Sequence, residues 1–123
     1  MSKLPTSKLK TDLKYRCYYF SIAVIQFLKE SDNKFRAIND QLLRSSTSIG
    51  ANIVEAKSSS SRKEFIKYYQ IALKSANETK YWLALYRDAI DLDANKINDL
   101  LTEAEEISKM LASSIITLKD KKF

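Results

Sequence analysis

"SRKEFIKYYQIALKSANETKYWLALYRDAI", residues 61–90, is the stretch on which the fold turns. Along it Phe65, Tyr69, Ala72, Ala76, Thr79, Leu83, Tyr86 and Ile90 alternate steps of four and three without a break. That spacing keeps one apolar line facing a neighbour in left-handed helix packing. Ser61-Arg62-Lys63-Glu64 fits a capping box, in which the serine oxygen accepts from the Glu64 backbone N–H and the glutamate reaches back to the serine N–H. The pattern predicts a helix over 62–90.

The flanking segments repeat the pattern. A first helix over about 8–29 carries Leu9, Leu13, Cys17, Phe20, Val24, Phe27 and Leu28, and "ESDN" ends it, with Asp32 or Asn33 available to cap the next helix. A second, over about 34–57, faces its core with Phe35, Ile38, Leu42, Ser46, Ile49, Ile53 and Ala56. Small residues at Ser45, Ser46, Ser48 and Ala51 invite close approach by another helix. A fourth, over about 96–119, carries Ile97, Leu100, Ala104, Ile107, Leu111, Ser114 and Leu118. With a single glycine, Gly50, and a single proline, Pro5, in 123 residues, the chain has little material for turns. It reads as one all-α domain, an antiparallel up-down-up-down four-helix bundle spanning residues 1–123.

Composition removes most chemistry. There is no histidine, hence none of the commonest general base or the usual zinc ligand. Cys17 is the only cysteine, which excludes an internal disulfide and suits a reducing, cytoplasmic setting. No run of eighteen apolar residues exists, and "MSKLPTSKLKTDLK" lacks the apolar core of a signal peptide, so no membrane partner is expected. A calcium loop is suggested by Asp91, Asp93 and Asn95, but Lys96 stands where the turn needs glycine and Thr102 where a bidentate glutamate belongs. The segment reads as an acidic loop capping helix four. No catalytic residue, metal site or cofactor is expected.

The net charge is +6, unevenly spread. Residues 57–80 hold six basic and two acidic side chains, whereas residues 81–118 hold three and seven. Lys63, Lys67, Gln70, Lys74, Asn77 and Tyr81 lie within about 40° of one line on helix three, opposite its core seam. Such a stripe can follow phosphates and offer a tyrosine to a base, or can simply be a solvated face. Arg62 and Lys57 neighbour its start. Helix three is also apolar on two flanks, with Ile66, Leu73 and Ala84 on one and Ile71 and Trp82 on the other. Either it touches two neighbours within the chain, or Ile66, Leu73, Ile71 and Trp82 meet another subunit.

"QLLRSSTSIGANIVEA" (41–56) and "SRKEFIKYYQIALKSANET" (61–79) resemble a four-helix-bundle family encoded by intervening sequences of bacterial 23S ribosomal RNA genes. Its pattern Q-L-x-R, S-I-P-x-N-I-A-E-G, S-x-K-E-F and I-A-x-G-S-x-x-E falls here on Gln41, Leu42, Arg44, Ser48, Ile49, Asn52, Ile53 and Glu55, then Ser61, Lys63, Glu64, Phe65, Ile71, Ala72, Ser75 and Glu78. Gly50 replaces the family's proline, and Lys74 stands at a usual glycine. The resemblance implies a non-enzymatic bundle, often a homo-oligomer and specifically a pentameric ring. It also implies distant similarity to the accessory variability determinant of diversity-generating retroelements, a basic ring that binds nucleic acid and a reverse transcriptase. RNA or DNA bound without base specificity is therefore the leading partner. The alternative is a protein-interaction scaffold, or accessory subunit, with no nucleic-acid role. Arg44, Ser48, Asn52, Glu55, Glu64 and Phe65 are expected to serve packing, with Asn52 bonding across helices. Gly50 is expected to permit a bend in helix two.

Overall fold

A computed structural model describes residues 12–31, 33–90 and 94–120. Four helices follow in order: α1 (Leu13–Lys29), α2 (Arg36–Lys57), α3 (Arg62–Leu85) and α4 (Ala94–Asp120). Each packs against the next and α4 returns to α1, while the diagonal pairs stay apart, which is the arrangement of an antiparallel bundle with short connections.

Helix ends follow local chemistry. Asp12 is extended and its carboxylate accepts from the Lys14 N–H at 3.1 Å. It starts α1 at Leu13; Lys8, where the pattern placed the start, and Leu9 lie outside the described residues. A 3₁₀ turn, Asn33–Phe35, precedes α2, whose cap position falls on Phe35 and has no side-chain hydrogen bond. Asn33 is thus not the cap, and Asp32 lies outside the described residues. Ser61 caps α3 as expected, accepting from the Glu64 N–H at 3.1 Å. The return bond of the box differs: Glu64 Oε1 accepts from the Ser60 N–H at 3.4 Å, one residue earlier. The final turn of the third helical segment, Tyr86–Ile90, widens into a π-helix, with Tyr86 still buried. Asp91 and Asp93 lie outside the described residues, and no group of metal ligands occurs among those described.

The core is built from the expected lines. Cys17, Phe20, Val24 and Phe27 meet Leu42, Ile49, Ile53 and Ala56, Tyr69, Ala72, Ala76 and Leu83, and Ile97, Leu100, Ala104, Ile107 and Leu111. Two predicted positions differ. Phe35 is exposed, because it sits in the 3₁₀ turn before the bundle face begins, and Ile115 rather than Ser114 is buried near the end of α4. Burial deprives the Cys17 thiolate of water and pushes the thiol up to about 12, so the side chain is a packing group, not a nucleophile. A half-buried bidentate pair, Arg16 to Glu103 at 2.7 and 2.9 Å, ties α1 to α4, and the hydrogen bond to Glu103 raises the arginine further.

Gly50 lies inside an unbroken α2. A Cβ built there would stand 3.4 Å from the Cβ of Cys17. The glycine therefore lies where α1 and α2 come close together. That distance is ordinary contact, leaving room for one methyl group. Gly50→Ala should stabilise the fold by about 0.5–1 kcal/mol through helix propensity, whereas Gly50→Leu should destabilise it. Chemical denaturation midpoints measure both.

Candidate nucleic-acid interface

The two signature segments are brought face to face where α2 packs on α3. The hydroxyls of Ser45 and Thr79, both fully buried, hydrogen-bond at 2.9 Å, and Thr79 donates to the Ser75 carbonyl at 2.7 Å. One step along, Ser75 Oγ donates to Ser48 Oγ at 3.0 Å. Asn52 Nδ2 donates to the Ser48 carbonyl at 2.8 Å and to its hydroxyl at 3.1 Å. Asn52 therefore bonds within its own helix, and Ser48 makes the crossing expected of Asn52. An amide four residues after a serine reaches that serine before it reaches a neighbour. At the outer edge Arg44 forms an ion pair with Glu78 while also donating to Gln41 Oε1 at 2.9 Å, and Trp82 Nε1 donates to Glu78 at 3.1 Å. Gln41, Arg44, Ser48, Asn52, Ser75 and Glu78 are thus one continuous seam. Glu55 is exposed away from it, and Phe65 stacks on Tyr69 with ring centroids 4.7 Å apart.

The apolar flanks of α3 are partly covered by its neighbours. Ile66, Leu73 and Trp82 are partly buried and pack against the core. Ile71 is half-buried beside Lys67 and Lys74. Phe35 before α2, Tyr81 on α3 and Ile116 on α4 are exposed, and on α1 and α2 the large exposed apolar side chains are four: Tyr18 and Ile25, seven residues apart, and Leu43 and Val54, on either side of Gly50. Exposure, not periodicity, identifies these four, since each sits beside a core position and reads as its extension.

Between the flanks runs the basic row. Lys63, Lys67, Gln70, Lys74, Asn77 and Tyr81 are all exposed on α3. None of the three lysines pairs with a carboxylate among the described residues. Other cations are engaged: Lys80 with Glu105 at 3.2 Å, Lys96 with Glu30 at 2.7 Å, and Arg87 with Asp88 at 2.7 Å. Arg62 is half-buried and donates to the Leu118 carbonyl, joining the start of α3 to the end of α4. Lys57 is exposed with its ammonium 5.5 Å from the Phe65 ring centre. An open groove beside the row is lined by Ser61, Arg62, Lys63, Glu64, Ile66, Lys67, Gln70 and, from α4, Lys119, so one carboxylate shares it with four cations. Tyr81 closes the row at its far end, 59% exposed, its ring edge-on to Trp82 at 5.1 Å. No helix of the described residues is long and apolar enough to cross a membrane.

Comparison with known proteins agrees with this architecture. The profile of the 23S rRNA-intervening sequence protein family matches residues 11–113. A solved structure of a protein of unknown function from the S23 ribosomal protein family of Bacteroides thetaiotaomicron is 37% identical, with a TM-score of 0.78 over 84% of this chain and 97% of that one. Among curated proteins no relative matches.

The buried hydroxyl pair should be a measurable part of stability. Thr79→Val keeps the shape and deletes the hydroxyl, leaving buried Ser45 only its 3.3 Å bond to the Leu42 carbonyl. A loss of about 1–2 kcal/mol is expected in urea denaturation, with the slope unchanged.

Proposed function

The chain belongs to the 23S rRNA-intervening sequence protein family, and we propose that it is a non-enzymatic, self-associating helical bundle that binds the backbone of RNA or DNA without reading bases. One observation carries the binding half of this reading. Lys63, Lys67 and Lys74 stand in a single exposed file with Gln70 and Asn77, and no carboxylate among the described residues neutralises them. Solvated lysines on a helix surface commonly sit near acidic partners, as Lys80 and Lys96 do here. An unneutralised file attracts polyanions and releases their counterions on binding.

Self-association is supported by apolar side chains left exposed, Tyr18 and Ile25 on α1 and Leu43 and Val54 on α2. A pentamer is the number that the family resemblance implies. The same four side chains favour a second reading, a scaffold that engages a protein partner and uses its lysines only for solubility.

Two measurements decide between them. Affinity for a generic RNA should fall steeply as salt rises, and Lys63→Glu/Lys67→Glu/Lys74→Glu should abolish it, while reversal of the paired Lys96 should have little effect. Absence of binding at low salt removes the nucleic-acid reading. Light scattering at micromolar concentration should give the mass of several copies, and Val54→Lys should reduce it. A monomeric wild-type chain removes self-association and leaves the apolar face to a different protein.

A further inference from the structure

We infer that the α3 row takes a single strand of DNA or RNA rather than a duplex, an assignment that rests on the proposed function and narrows it. The first argument is steric. α3 has α2 packed on one side and α4 on the other. Packed helix axes stand about 8–10 Å apart, while the major groove is about 12 Å wide and 8.5 Å deep, enough for one helix without neighbours beside it. The outer face of α3 is thus unable to sink into a duplex and read it as a recognition helix does.

The second argument is the distribution of cations. A duplex lying across the bundle presents two phosphate lines, and these require two lines of available charge. Here Arg44 is engaged with Glu78, Arg62 with the Leu118 carbonyl, and Lys80 with Glu105 and Ser108, while Lys57, against the Phe65 ring, lies only near the start of the row. Lys63, Lys67 and Lys74 remain as one line, about 16 Å long at 1.5 Å per residue. Lys119 adds charge only at its beginning.

The third argument is Tyr81. It stands in the same file, two turns beyond Lys74, with a largely exposed ring. Trp82 supports the ring edge-on from one side and is itself held by its hydrogen bond to Glu78. The exposed phenol ring is a stacking platform braced in advance. A base already stacked inside a duplex has no face to offer it, whereas an unpaired base does. Lysines for the phosphates and one tyrosine for a base are the elements of sequence-tolerant single-strand binding.

The test uses the full chain at low salt with a twelve-residue oligothymidine, a twelve-residue oligouridine and a DNA duplex of the same length, each followed by fluorescence anisotropy. The single strands should bind about tenfold or more tighter than the duplex. Tyr81→Ala should weaken single-strand binding roughly 5- to 150-fold, the equivalent of about 1–3 kcal/mol of stacking, leave duplex binding unchanged, and be rescued by Tyr81→Phe. Trp82 is the only tryptophan, so its emission should also change on single-strand binding to the wild-type protein. Tyr81 is exposed, so the variant should retain wild-type helicity. Equal affinity for duplex, or no effect of Tyr81→Ala, overturns the single-strand assignment while the backbone-binding reading stands. Failure to bind any of the three overturns both.

Discussion

The structure depends on how closely α2 can approach its two neighbours. Toward α1 the contact is made by Gly50, whose missing side chain faces the Cβ of Cys17. Toward α3 it is made by serines and a threonine, small enough for the backbones to come together and polar enough to require partners once there. Ser45, Ser48, Ser75 and Thr79 answer that requirement with one another, with helix carbonyls and with Asn52. A buried hydroxyl without a partner costs more than its hydrogen bond gains, so the seam enforces one register between the helices. With that register set, Leu42, Ile49 and Ile53 fall opposite the inward line of α3, and the other two helices close over them. Arg16–Glu103 and Lys80–Glu105 then tie α4 to α1 and to α3.

The same packing sorts the charges. A cation on the flank of a helix lies within reach of the neighbouring helix and finds a carboxylate or a helix-end carbonyl there, as Arg44, Lys80 and Arg62 do. A cation on the outermost line has no neighbouring helix to reach. Lys63, Lys67 and Lys74 occupy that line on α3 and are left to solvent or to a partner. The basic file is thus a geometric consequence of a helix with neighbours on two sides. No acidic residue shares the file, and a tyrosine ends it.

Much of this was legible in the residues. The seam from Phe65 to Ile90, the Ser61 cap and the exposure of the basic row all follow from spacing, because a helix repeats its faces every 3.6 residues whatever lies around it. The motif residues Gln41, Arg44, Ser48, Ser75 and Glu78 could be named, but not seen as one seam, since they come from two helices. Glu64 bonds Ser60 instead of Ser61, and Asn52 bonds Ser48 instead of α3. In each case several partners lie within one side chain's reach, and small differences in backbone path choose among them. The π-helical turn at Tyr86–Ile90 gives no periodic signal, because one widened turn does not disturb the apolar pattern on either side.

By itself, then, the sequence determined where the helices run, which line of each is buried, and which line of α3 is basic. These are properties of a single helix and depend only on its own residue order. The tertiary structure alone decided that Ile66, Leu73 and Trp82 are used within the chain, that Arg62 is half-buried against the Leu118 carbonyl, and that Tyr18, Ile25, Leu43 and Val54 are left exposed. A residue on the flank of a helix is covered or uncovered by whatever packs beside it. That is set by the closeness of the crossings at Gly50 and at the Ser45–Thr79 pair, a relation between helices that no single segment contains.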